Sequence, residues 1–255
     1  MTADCLSDKG SAKMNVLILN GSPKGDRSNT IRIAKAFTEG FPEGTNIRRI
    51  DIYSKDIKPC RGCFSCWRNG DGRCVIKDDM EEIVSAIKEA DVIIESYPLY
   101  FYGMPSQMKA VTDRCLQLVM PYMGEKSDSD LTFNEMKDPD MLNKHMVLIS
   151  TCGYVEAEPV YPALLAQYDL MCGKGGYTAI LCPEGEIFVT GQAKRQQEAY
   201  LDSVRAAGAE YAMGFCLSED TLRKIAIPIL SPQSFCAITK SHWLDGHWIE
   251  RNPEQ

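Results

Sequence analysis

The sequence predicts an α/β protein with a parallel sheet covered by helices on both faces. Short apolar runs of strand length alternate with helical patterns along most of the chain. The first and third runs end in loops carrying Gly and Pro, and 255 residues, 44% hydrophobic and 25% charged, suffice for one large core. Repeated strand and helix order implies right-handed crossovers and a buried parallel sheet.

Residues 1–13 are polar and aperiodic and read as a tail. Asn15 to Asn20 is the first strand, ended by Gly21, Ser22 and Pro23, and a helix follows from Asn29 with Ile31, Ala34 and Phe37 on one face. Ile47 to Tyr53 is the second strand, Asp79 to Ala90 a helix that Asp78 or Asp79 can cap, and Val92 to Ser96 the third strand. A helix from Pro105 to Leu118 precedes a polar connection, Pro121 to Lys144, expected to cross the active-site face as a lid or subunit contact. His145 to Ser150 is the fourth strand, Tyr161 to Cys172 a helix, Tyr177 to Leu181 the fifth strand and Gln192 to Met213 a long closing helix. This gives one main domain over 14–215 and an extension over 216–255, with the aromatic phrase His242 to Trp248, expected to pack on the core or on a partner subunit.

The formal charge of −7 opposes a broad attraction to nucleic acid or anionic lipid. There is no secretory h-region and no apolar stretch of membrane-spanning length, so a cytoplasmic protein is expected. In a reducing compartment, eleven cysteines make a poor disulfide scaffold. Four of them, Cys60, Cys63, Cys66 and Cys74, fall within fifteen residues. Two-residue gaps let thiolates turn onto one centre, and Gly70 and Gly72 loosen the longer arm. A [4Fe-4S] cluster, a zinc ion and metal-free thiols are the alternatives.

In an open parallel sheet, ligands sit beyond the carboxyl ends of the strands. After the first strand, Gly21 to Thr30 offers hydroxyl, amide and cationic donors before a helix N-terminus, a phosphate pocket that is neither a Walker A loop nor a Gly-x-Gly-x-x-Gly turn. After the third strand, Tyr97 to Gly103 combines a proline turn with aromatic faces able to hold a flat ring. Thr151 to Tyr154, after the fourth, can border the same ring.

These segments resemble the flavodoxin-like NAD(P)H-dependent FMN reductases, and within them the iron-sulfur flavoproteins. The likeness covers roughly residues 14–215. It is carried by Gly21 to Lys24 with Ser28 to Thr30, by the compact cysteines followed by Lys77 to Met80, and by Pro98 to Gly103 leading to Lys109 through Arg114. The resemblance implies a doubly wound five-stranded sheet in flavodoxin order, 2-1-3-4-5, with a Cys-rich excursion. It implies that Ser22, Lys24, Ser28, Asn29 and Thr30 hold the FMN phosphate. Pro98, Leu99, Tyr100, Phe101, Tyr102 and Gly103 would line the ribityl chain and ring, and Thr151, Cys152 and Gly153 would approach its far edge. Cys60, Cys63, Cys66 and Cys74 match the cluster motif of that group.

Other polar residues read as structural. Lys109 and Asp113 form a surface ion pair beside Arg114, Asp78 and Asp79 cap a helix, and His145, His242 and His247 lack a ligand grouping. Cys115, Cys172, Cys182, Cys216 and Cys236 read mostly as small buried hydrophobes, and Trp67 as a shield or interface residue. The expected function is an FMN-dependent oxidoreductase passing electrons from NAD(P)H or a reduced protein to a small-molecule or protein acceptor. A non-catalytic flavin and iron-sulfur carrier, and a zinc-supported binding module, are the rivals. Because the flavin carries the chemistry, no catalytic side chain is assigned. A homodimer or homotetramer is expected from the surface offered by the excursions.

Overall fold

The computed structural model describes residues 13–123 and 134–244. Five strands, β1 (Asn15–Asn20), β2 (Asn46–Asp51), β3 (Val92–Pro98), β6 (His145–Thr151) and β7 (Tyr177–Cys182), form a parallel sheet in the order β2-β1-β3-β6-β7. Between β3 and β6 a small antiparallel pair intervenes, β4 (Val119–Met123) with β5 (Asn134–Met136). Taken alone, the five strands of the main sheet follow the expected order 2-1-3-4-5, and the pair occupies part of the long polar connection. Residues 124–133 of that connection, residues 1–12 of the tail, and Gly246, His247 and Trp248 lie outside the described residues.

Strand residues alternate between faces, and the two cores show it directly. Val16 and Ile18 of β1, Val92 and Ile94 of β3, and Val147 and Ile149 of β6 pack with α1 (Asn29–Glu39) and α6 (Lys194–Gly214). Leu17 and Leu19, Ile93 and Tyr97, and Leu148 pack with α3 (Met80–Glu89), α4 (Ser106–Arg114) and α5 (Pro162–Cys172). With both faces buried, the central strands read as continuous apolar runs. The α1 and α6 backbones nearly touch, since a Cβ at Gly208 would stand 1.8 Å from the Phe37 carbonyl oxygen.

Two elements differ from expectation for local reasons. The helix expected to reach Leu118 ends at Arg114 and tightens into a 3-10 turn over Cys115–Leu118, which feeds β4. The second strand stops at Asp51, where Ile52–Ser54 turns inward and buries Ile52. The extension forms α7 (Glu219–Ile225) and α8 (Pro232–Leu244), whose Ile225 and Phe235 are buried in the α1/α6 core. Cys182 is buried, but Cys115, Cys172 and Cys216 are only partly so, and Cys236 is exposed. His145 stacks on Phe215 at 3.8 Å between ring centres. Among the described residues, no helix is long and apolar enough to cross a membrane.

Candidate functional site

The carboxyl ends of β1, β3, β6 and β7 surround one open cavity of about 220 Å³. Its first wall is the loop after β1. Asn20, fully buried, donates to Asp51 Oδ1 at 2.6 Å, and its own Oδ1 accepts from the Ser22 N–H at 3.3 Å, which fixes the start of the turn. Ser28 caps α1 by accepting from the Ile31 N–H. The remaining free N–H groups of an eleven-residue helix then face the cavity with partial positive charge. Ser22, Lys24, Ser28, Asn29 and Thr30 all line it, with Lys24 exposed at the rim.

The second and third walls come from β3 and β6. Pro98, Leu99 and Tyr100 line one side, Thr151, Cys152 and Gly153 the other. The Leu99 N–H donates to the Thr151 carbonyl at 2.8 Å, and Thr30 and Thr151 hydroxyls meet at 2.7 Å, so three walls are tied together near the floor. Burial pushes the Cys152 thiol up despite bonds from the Tyr154 backbone and the Tyr161 hydroxyl, so it faces the cavity as a neutral thiol.

Phe101, Tyr102 and Gly103 do not line the cavity. Tyr100 and Gly103 exchange two backbone hydrogen bonds, closing a turn in which Phe101 and Tyr102 both adopt left-handed φ values of 47° and 64°. That turn throws the Phe101 ring into solvent, fully exposed, and lays Tyr102 against Tyr154 outside the cavity. Such φ values are costly for bulky residues, so the turn is held by its context.

A fourth wall was not foreseen. Gly185 and Glu186, beyond β7, complete the lining. Asn29 Nδ2 donates to the Gly185 carbonyl at 2.7 Å, and the Gly185 N–H donates to the Cys152 carbonyl at 2.8 Å. A Cβ at Gly185 would stand 2.7 Å from Thr151 Cβ, so only glycine fits there. The strand-end rule that picked out the other loops applies equally after the fifth strand, and that is the signal that points to this one.

Below the cavity, the central strand buries Glu95 away from solvent. Burial pushes its carboxyl up to about 7, against a hydrogen bond from Tyr168, whose hydroxyl also meets that of Tyr97 at 2.7 Å.

The four clustered cysteines line a second, small cavity of about 20 Å³. The exposed Cys63 thiol is lowered by hydrogen bonding with Ser65, while burial pushes Cys66 up against the nearby Lys137 charge. Among the described residues, no group of three or more His, Cys, Asp or Glu stands ready to hold a metal ion. Four thiols sharing one cavity are donor chemistry that suits a thiophilic centre. Trp67 stacks on Phe64 and donates to the Leu116 and Val119 carbonyls, pinning α2 (Ser65–Arg68) to the turn before β4.

Arg114 also lines this cavity and corrects the surface reading. Lys109 and Asp113 do pair on the exposed face, but the Arg114 side chain is 1% exposed and Asp78's is fully buried. Asp78 accepts from Arg114 Nη1 at 2.7 Å and Nη2 at 3.0 Å, and from the Lys58 and Met80 N–H groups. It therefore clasps both ends of the cysteine excursion to α4, beyond any capping role. Asp79 accepts from the Asp56 N–H and makes no side-chain cap.

Comparison with known proteins follows the same lines. The sequence profile of a family described as having a flavodoxin-like fold matches residues 14–174. An iron-sulfur flavoprotein of Methanocaldococcus jannaschii is 37% identical over 101 residues, 40% of this chain and 51% of that protein. One from Methanosarcina thermophila is 33% identical over 105 residues, 41% of this chain and 54% of the relative. The match thus spans about half the length of these curated relatives. An FMN-dependent NADH-azoreductase from Bacillus anthracis, solved with FMN, superposes with a TM-score of 0.54 at 21% identity, covering 78% of this chain and 99% of that one. An NAD(P)H:quinone oxidoreductase from Methanothermobacter marburgensis gives a TM-score of 0.54 at 20% identity, covering 78% and 97%. At that identity the structures speak for the fold.

Proposed function

This chain belongs to the family of flavodoxin-like fold, and on that premise we propose that it is an FMN-dependent oxidoreductase taking electrons from NAD(P)H or a reduced protein donor and passing them to a small-molecule or protein acceptor. The observation that carries this reading is the single cavity at the strand ends, with hydroxyl, amide and ammonium donors at a helix N-terminus on one side and a slot between Pro98–Tyr100 and Thr151–Gly153 on the other. The donors suit a phosphate, and the slot suits a flat ring. Relatives carrying flavin in their names support it further.

Bound there, FMN would supply hydride acceptance and onward electron transfer. The chain's own residues bind and orient. Ser22, Ser28, Asn29 and Thr30 would donate to the phosphate, Lys24 would offset its charge, and the bonded Thr30 and Thr151 hydroxyls hold two walls at fixed spacing. Cys152 would border the ring as a buried, neutral thiol. Cys60, Cys63, Cys66 and Cys74 would hold a [4Fe-4S] cluster in the second cavity, a one-electron outlet towards a protein partner. The reading includes a cytoplasmic homo-oligomer, with no membrane or nucleic acid partner.

The test is a flavin titration of the wild type and of Ser28→Ala/Asn29→Ala, followed by turnover with NADH or NADPH and a quinone. Tight FMN uptake, weakened in the variant, with quinone reduction supports the enzyme. Uptake without nicotinamide turnover would leave the non-catalytic carrier as the better description.

A further inference from the structure

The family match ends at residue 174, yet the fourth wall of the cavity, Gly185 and Glu186, lies beyond it. This wall is a short 3-10 segment, Gly185–Val189, clamped from two sides. On the inner side α1 and α6 hold it: Asn29 donates to the Gly185 carbonyl, Arg32 to the Phe188 carbonyl at 3.1 Å, and Gln197 to the Ile187 carbonyl at 2.9 Å.

On the outer side the C-terminal extension holds it through two carboxylates two residues apart. Glu184 is fully buried in a left-handed conformation, with φ of 59°, and accepts from the Leu230 N–H at 2.9 Å. Glu186 accepts at 3.1 Å from the indole N–H of Trp243, at the far end of α8. The chain between Leu230 and Trp243 is anchored by Phe235 and Ile238 against the α1/α6 core, so Trp243 is delivered by a docked helix. The other Glu186 oxygen lies over the cavity loop, 3.2 Å from where a Cβ on Gly153 would stand. One carboxylate thus has an oxygen on the extension and an oxygen at the cavity.

We propose that Glu186 is a ligand-binding carboxylate of this cavity and Trp243 its positioning residue, so that the C-terminal extension forms part of the cofactor site. The inference rests on the FMN reading above and adds to it. A carboxylate repels phosphate and accepts from N–H or O–H, so Glu186 would meet a donor-bearing part of the flavin, its ribityl hydroxyls or its ring imide. The phosphate would lie towards Lys24. The indole N–H occupies one carboxylate oxygen and fixes the rotamer, leaving the other oxygen aimed at the ligand.

The full chain is titrated with FMN and with riboflavin, which lacks the phosphate, for the wild type, Trp243→Phe, Glu186→Ala, Glu186→Gln and Trp243→Phe/Glu186→Ala. Trp243→Phe keeps an aromatic side chain at the end of α8 while removing the indole N–H together with the pyrrole half of the indole. It and Glu186→Ala should each weaken both flavins by a similar factor, about two- to fivefold for a partly exposed hydrogen bond to a charged group. Glu186→Gln should recover part of the loss, and Trp243→Phe should add nothing once Glu186 is gone. Unchanged binding in Trp243→Phe, or fully additive losses, overturns the positioning role. Tighter FMN binding by Glu186→Ala with riboflavin unmoved places the carboxylate at the phosphate and overturns the ligand assignment. If the wild type takes up neither flavin, the FMN reading itself fails and carries this inference down with it.

Discussion

Replacing Asp78 by Asn should destabilise the fold far more than its place at a helix start suggests. The substitution keeps size and an acceptor oxygen but removes the charge facing Arg114. That guanidinium is 1% exposed, so water cannot take over from the carboxylate. Two short bonds to Arg114 are weakened, and the acceptor shared with the Lys58 N–H at 2.9 Å is perturbed as well. Leaving one member of a buried pair uncompensated costs about 3–5 kcal/mol, several times an exposed pair such as Lys109–Asp113. Urea unfolding followed by tryptophan fluorescence gives the number, and Asp78→Asn/Arg114→Leu should lose less than the sum of the single variants by about 1 kcal/mol or more. The Asp78→Asn loss should also survive added salt, because a buried pair is little screened. A cost under about 1 kcal/mol, or strict additivity, would refute the claim that this pair clasps the cysteine excursion to α4.

Three further outcomes follow from the same geometry. Glu95 is protonated in the folded state up to about pH 7, whereas its unfolded value is 4.5, so folding stability should fall as pH rises through that window and level off above it. The drop is ~3 kcal/mol, and Glu95→Gln should abolish it in urea titrations at pH 5 and pH 8; an unchanged slope would exclude Glu95 as its source. Phe101→Asn exchanges a fully exposed ring at φ 47° for a residue that tolerates that conformation, and should raise stability by about 0.5–1 kcal/mol, read as the thermal midpoint. Gly185→Ala drives a Cβ against Thr151, at 2.7 Å before relaxation, so it should strain the wall by about 1–3 kcal/mol and weaken FMN uptake about tenfold, measured by fluorescence titration.

Much of the fold was legible because four of the five strands of the main sheet are largely apolar runs, and Gly or Pro soon after β1 and β3 marks the sheet and its ligand-bearing edge together. The loops after β1, β3 and β6 were legible for that reason, and eleven of the fourteen residues expected around the flavin line one cavity. Phe101, Tyr102 and Gly103 stand outside that cavity because a two-residue left-handed turn reverses side-chain direction, and Phe-Tyr lacks the Asn-Gly signature that would announce it. Gly185 and Glu186 carry no motif and join the site only because β7 neighbours β6. Asp78 read as a helix cap and Arg114 only as the neighbour of a surface ion pair, because helix spacing reports neighbours along one helix and is blind to a partner 36 residues away across the fold.

The most direct test of the central claim is an absorbance spectrum of protein purified without oxygen, followed by titration of the flavin-stripped chain with FMN. The cavity described above predicts flavin bands and saturable, stoichiometric FMN uptake, with a broad iron-sulfide background where Cys60, Cys63, Cys66 and Cys74 hold a cluster. A spectrum without flavin bands, together with no FMN uptake by the intact fold, would contradict it.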